Sequence, residues 1–334
     1  MPMSGTNNAI TDVEGLLVGH FTSVDAASGV TVIVCPKGAT AGADVRGSAP
    51  GTRETDLLEP WNLVEKVNAV VLTGGSVYGL STVDGVVRLL AEQGRGFPLE
   101  EGHVAPIVPA AALFDLGRGR DYVPSVGPEW GRRACNAAHD GPVAMGCVGA
   151  GTGAVAGGIK GGLGTASEIL SSGITVGAIV AVNSLGSVID PDTGTLWELR
   201  LAADGELGEL GTRAVHLPKT EKPAPARNTT IGVVAVDAAL TKAQAKKIAQ
   251  MAHDGLGRSI RPAHTMFDGD TIFALSTGLR DLPEEPGFFA APKAAALNEI
   301  GRAAADCMSR AIMRGILAAG SLGEFKAFRD LPVR

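Results

Sequence analysis

A threonine that opens a buried strand becomes a nucleophile if the peptide bond before it is cut, because its new α-amine then stands beside its own hydroxyl as a base. The chain offers such a junction at Asn228-Thr229-Thr230, where a Pro- and Lys-rich approach, LPKTEKPAPARN, runs directly into the strand-like TTIGVVAV. Leu217 to Asn228 carries three prolines and few apolar residues, and so reads as an exposed, extended connector. The plainer alternative is a loop entering a strand, with Thr present only as a good strand residue. Taken alone, the junction favours that alternative.

A second group of reactive side chains sits in HTMFDGDTIFA, where Asp268 and Asp270 flank Gly269 just before an apolar run. Carboxylates two apart in extended backbone face one side, so both can address one site. A D-G turn closing a hairpin, with solvated aspartates, is the competing account. His264 nearby does not complete a carboxylate and histidine set, so no metal is expected. Gly149-Ala150-Gly151-Thr152-Gly153-Ala154 fits G-x-G-x-x-A, with Glu168 roughly 20 residues on. That fingerprint needs a helix N-terminus aimed at the pyrophosphate, and the glycines and Lys160 that follow do not read as a helix. Ser76 does not sit in G-x-S-x-G, because Tyr78 stands where the second glycine would fall.

These residues need elements to position them. Val13 to Val18 and Val30 to Val34 read as strands, with a Gly- and Pro-rich stretch from Ala43 to Gly51. Asn68 to Thr73 reads as a buried strand, followed after Gly74-Gly75-Ser76 by helical spacing at Val77, Leu80, Val83, Val86, Val87 and Leu90. The run of glycines from Gly151 to Gly164 predicts a loop or bulged strand. Ile174 to Val182 reads as a strand, and the Asp190-Pro191-Asp192-Thr193-Gly194 turn beyond it predicts a hairpin. Thr241 caps a helix over Ala243 to Met251, Thr271 to Ser276 is a strand, and a long helix runs from about Lys293 to Ala319. Helices stacked over two layers of sheet follow from that order.

Composition narrows the function classes. The 334 residues are 45% hydrophobic and 19% charged, which describes a large core and excludes disorder. A formal charge of −6 without a basic block argues against a nucleic-acid partner. Cys35, Cys135, Cys147 and Cys307 lack paired short spacing, so they read as reduced core thiols rather than a zinc site or disulfide framework. No basic start with an apolar segment opens the chain and no run approaches the roughly 20 apolar residues of a membrane span, so a cytoplasmic protein without a membrane partner is expected.

Taken together, Asn228-Thr229-Thr230, the D-G-D-T, the G-A-G-T-G and K-G-G-L-G-T-A-S stretch, and Asn183 after an apolar strand resemble the L-aminopeptidase/D-esterase family. The likeness extends through ITDVEGLLVGH, DVRGSAPGTRETDLL and TGGSVYGLSTVDGV to the Ala-rich last helix. The family includes β-peptidyl aminopeptidases and nylon-oligomer hydrolases and is similar in fold to ornithine acetyltransferase. The resemblance implies one four-layer αββα sandwich of N-terminal-nucleophile type spanning residues 1–334, cut between Asn228 and Thr229 into pieces 1–228 and 229–334. It implies Thr229 as nucleophile, Asp268 and Asp270 as the residues orienting it, and Asn183 as an amide that helps hold the oxyanion. Lys160 matches the family lysine near the nucleophile, with Gly158 as the rival position. Phe114, in ALFDL, stands where nylon-hydrolase relatives have an active-site Tyr, and that departure bears on substrate choice.

The expected function is a self-cleaving aminopeptidase or amidase acting on small peptide, amide or ester substrates without metal or organic cofactor, assembled as a homo-oligomer of processed units. An acyltransferase of the ornithine-acetyltransferase type shares nucleophile and fold. A non-catalytic protein binding ligands on its Gly-rich loops is the alternative of a different class.

Overall fold

The computed structural model describes residues 3–203, 205–218, 228–284 and 291–334. Most of the expected connector before Asn228 lies outside the described residues. The strands are β1 (Leu17–Ser23), β2 (Ser28–Val45), β3 (Gly51–Arg53), β4 (Lys66–Thr73), β5 (Phe97–Pro98), β6 (Val104–Ala105), β7 (Ala110–Ala112), β8 (Val155–Ala156), β9 (Ile159–Lys160), β10 (Gly162–Ile169), β11 (Thr175–Val182), β12 (Ile231–Ala238) and β13 (Thr271–Arg280). The helices are α1 (Ser76–Gly79), α2 (Thr82–Glu92), α3 (Pro128–Asn136), α4 (Gly208–Gly211), α5 (Lys242–Ser259) and α6 (Ala294–Ala318).

The main sheet runs β10-β11-β12-β13-β2-β4-β7-β3, with β1 paired to β2. Its neighbours are antiparallel except for β12 with β13 and β4 with β7. β2 is long enough to belong to two layers: residues 28–34 pair with β1, residues 30–34 and 39–40 pair with β4, and its last six residues pair with β13. The period-2 alternation of each strand then separates three cores. Ile33, Val70 and Leu72 from one half of the sheet meet Ile179, Val233 and Phe273 from the other in a central core. Val30, Val32 and Val71 turn outward to Val83, Val86 and Leu90 of α2 and Ala134 of α3. On the opposite outer side, Ala178, Val234, Ile272 and Ala274 share a third core with Ala249 of α5 and Ile312 of α6. Helix, sheet, sheet and helix layers follow, as the sequence leads one to expect.

Three local expectations change. The strand expected at Val30 to Val34 is longer, since β2 runs to Val45 and takes in the start of the Gly- and Pro-rich stretch. The 190–194 turn closes no sheet hairpin: β11 pairs instead with β10 and β12, and Ile189 meets Leu196 only in an isolated bridge. Gly162 and Gly164 belong to the regular strand β10. They are glycines because α6 lies directly on them; a Cβ on Gly164 would stand 1.9 Å from the Ala311 carbonyl oxygen. Thr241 caps α5 as expected, in a reciprocal box with Gln244, and the helix continues past Met251 to Ser259.

Candidate active site

Parallel pairing of β12 with β13 places Ile231 beside Thr271, so the residues preceding each strand emerge at one edge. Antiparallel pairing of β11 places Ala181 beside Ile231, which carries Asn183 to the same edge next to Thr229. The Thr229 N–H donates to the Asn183 carbonyl at 2.5 Å, and the Thr229 hydroxyl donates to the carbonyl oxygen of Asn228. Thr229 is only 4% exposed. Gly269 leaves it room: a Cβ there would fall 2.8 Å from Thr229 Oγ1 and 2.6 Å from the Ala49 carbonyl oxygen.

Asp268 and Asp270 are both buried, which rules out the solvated-turn account. Asp270 Oδ1 accepts the Thr230 N–H at 2.8 Å, while Oδ2 accepts from the backbone N–H and ring Nδ1 of His264 at 3.1 and 2.8 Å. Asp268 Oδ2 accepts from the Thr265 N–H and hydroxyl at 2.9 and 2.6 Å, and Oδ1 lies 3.3 Å from the Leu185 N. Burial, and after it the charge of Asp270, holds the Asp268 carboxyl above the usual carboxylate range. The segment after β2 secures the backbone here. Arg46 and Gly47 donate to the Asp270 carbonyl, and Ala49 donates to that of Asp268.

The Asn183 side chain turns to a different set of loops. Its Oδ1 accepts from Arg118 Nη1 at 2.6 Å and from the Val155 N–H at 3.0 Å, and its Nδ2 donates to the Phe114 carbonyl at 3.2 Å. Phe114 is thus joined to the site through its backbone. Lys160 is wholly buried opposite Val155 in the β8-β9 hairpin, which Gly157 and Gly158 turn at φ of 55° and 85°. The Lys160 ammonium donates to the carbonyls of Gly151 and Gly161 at 3.0 and 2.8 Å. Burial pushes its pKa down to about 8.

The structure therefore gathers Thr229, Asn183, Asp268 and Asp270 at one sheet edge, with Phe114 and Lys160 tied in through Asn183 and Val155. Sequence reasoning missed Arg118, which bridges Asn183 and the Gly153 carbonyl. It also missed Thr265 as a partner of Asp268, and set His264 aside with the metal question. The spacing of His264, Thr265, Asp268 and Asp270 was the available signal, since a tight loop can return a side chain onto one three to six residues away.

The αββα layering is that of the Ntn hydrolase fold. The structure is similar to that of the L-aminopeptidase D-Ala-esterase/amidase of Ochrobactrum anthropi, described as a prototype of the serine aminopeptidases and a variant of the Ntn hydrolase fold. The TM-score is 0.74 at 25% identity, covering 99% of this chain and 91% of that one. Residues 8–328 match peptidase family S58, and the chain belongs to that family. It is 47% identical to an uncharacterized aminopeptidase of Mycobacterium tuberculosis, over 97% of this chain and 98% of that protein. It is 27% identical to the 6-aminohexanoate-oligomer endohydrolase of a Kocuria strain, over 90% and 84% of the two chains. The protein is a hydrolase of the aminopeptidase class. Among the described residues, no helix is long and apolar enough to cross a membrane, and no cluster of His, Cys, Asp and Glu could hold a metal ion.

Proposed function

We propose that the chain cuts itself between Asn228 and Thr229 and then acts as an aminopeptidase or amidase with Thr229 as its N-terminal nucleophile. The observation that carries this reading is the Thr229 hydroxyl lying against the carbonyl of the bond to be cut. Attack of Oγ1 on the Asn228 carbonyl carbon moves the acyl group from nitrogen to oxygen, and water then hydrolyses the ester. This leaves 1–228 with a new carboxylate and 229–334 with a free Thr229 amine. That amine takes the hydroxyl proton when Oγ1 attacks the substrate carbonyl. One amine N–H keeps the Asn183 carbonyl as acceptor, which turns the nitrogen lone pair to a fixed direction.

Asp268 and Asp270 hold the nucleophile's surroundings, and the Asn183 amide and Lys160 supply polar and positive groups near the developing negative charge. The similar endohydrolase supports amide substrates, and Phe114 distinguishes the substrate pocket from one offering a Tyr hydroxyl. The processed units assemble as homo-oligomers in the cytoplasm. Denaturing electrophoresis with mass spectrometry of the purified protein tests the central step. Two pieces beginning at residue 1 or 2 and at Thr229 are expected, and an active enzyme that remains one intact chain overturns it.

A further inference from the structure

We propose that His264 is a positioning residue for the Thr229 reaction, acting through the Asp270 carboxylate. The inference rests on the reading of Thr229 as nucleophile. Asp270 is clamped between two elements: its Oδ2 accepts two N–H groups of His264, at 3.1 and 2.8 Å, and its Oδ1 accepts the N–H of Thr230 at 2.8 Å. Thr230 follows the nucleophile directly, so the aim of this carboxylate sets the peptide that carries Thr229. Because an ionised carboxylate only accepts, the His264 Nδ1 facing it must carry the hydrogen.

The backbone shows how firmly this contact is built. His264 adopts φ of 57°, the left-handed region that most side chains avoid at a cost of about 1–2 kcal/mol. That turn is what brings its amide and ring onto the same oxygen. The ring is braced edge-on by His253, with centroids 4.8 Å apart. His253 is itself buried in α5 and lies 3.0 Å through Nε2 from the Asp44 carbonyl oxygen. The Asp270 carbonyl is held separately by Arg46 and Gly47, so removing the imidazole takes one of the carboxylate's three hydrogen bonds without freeing the chain.

The experiment compares His264→Asn, His264→Gly and His264→Asp in the full-length enzyme by extent of self-cleavage, thermal midpoint, and kcat and KM on an amino-acid p-nitroanilide. Asn, Gly and Asp all tolerate the left-handed backbone, but only Asn restores an N–H near the place of Nδ1. His264→Asn is expected within about 3-fold of the parent kcat. His264→Gly and His264→Asp are expected to lose about 10- to 100-fold in kcat, with KM within about 2-fold, as misplacement of a reacting group does. Parent-like kcat in His264→Gly, or an equal loss in His264→Asn, overturns the proposal. If the Gly variant does not fold, the Asn and Asp pair decides by the same criterion. Thr229→Ala is assayed alongside: substantial activity there overturns the nucleophile reading itself, whereas an inert Thr229→Ala with an unimpaired His264→Gly overturns only the role of His264.

Discussion

Asn183 grips Thr229 by its backbone and not by its side chain. Its carbonyl accepts the Thr229 N–H at 2.5 Å, while its amide group reaches Arg118, Val155 and Phe114. One residue therefore joins Thr229 to the β7–α3 connection, through Phe114 and Arg118, and to β8, through Val155, and substitution separates the two jobs. Asn183→Ala keeps the carbonyl but leaves the buried Val155 N–H without its partner, at about 1–3 kcal/mol. The expected result is a lower thermal midpoint together with a loss of turnover of at least about 10-fold, because the proposed oxyanion donor is lost with the amide. Unchanged turnover in a folded variant would remove Asn183 from the oxyanion site.

Gly269 provides a steric test independent of any charge. An added Cβ would press on the Ala49 carbonyl and on Thr229 Oγ1, neither of which is the end of a flexible chain. Gly269→Ala is expected to slow self-cleavage by about 10-fold or more, as displacement of reacting atoms does. Gly257, in α5, has open space around its missing Cβ. Gly257→Ala is expected to leave cleavage alone and to stabilise the protein by about 0.5–1 kcal/mol. Timed electrophoresis after expression compares the two; equal cleavage rates would show that a Cβ at position 269 does not crowd the reaction.

The two aspartates separate a positioning role from a structural one. Asp268→Asn and Asp270→Asn preserve shape and some acceptors while removing charge. Both are expected to lower kcat by about 100-fold, within the range of oriented catalytic groups, with thermal midpoints moving far less. Steady-state kinetics beside thermal melts checks this, and near-parent rates in both variants would return the pair to a purely structural role.

Much of this architecture was legible because periodicity and caps are local. Thr241 with Gln244 marks the start of α5, and the Ala-rich spacing marks α6 nearly to its ends. What escaped is what depends on distant packing. Gly162 and Gly164 look like loop residues until α6 is laid on them. β2 looks broken because its two halves serve different layers, so no single hydrophobic pattern runs through its 18 residues. The junction, D-G-D and Asn183 were visible as types and spacings, and sheet order brings them together. Arg118 was not visible, since nothing in its neighbourhood of the sequence announces a contact with Asn183, 65 residues on.

Lys160 gives the pH test. Burial moves its pKa from 10.5 down to about 8 in the folded protein, so the folded state holds this proton less tightly than the unfolded chain does. Between about pH 8 and 10.5 the unfolded state binds more protons, and the Lys160 contribution to stability therefore rises with pH across that window. Below about pH 8 the ammonium is charged in both states and its full desolvation cost is present. Lys160→Met removes the titrating group along with its hydrogen bonds to Gly151 and Gly161. The stability of the parent relative to Lys160→Met is thus expected to increase from about pH 8 to about pH 10, whatever its value near neutrality. Urea midpoints of both proteins at about pH 7, 8.5 and 10 measure it. A difference that stays flat or shrinks would mean that Lys160 keeps an ordinary affinity for its proton and that its pocket does not tune it.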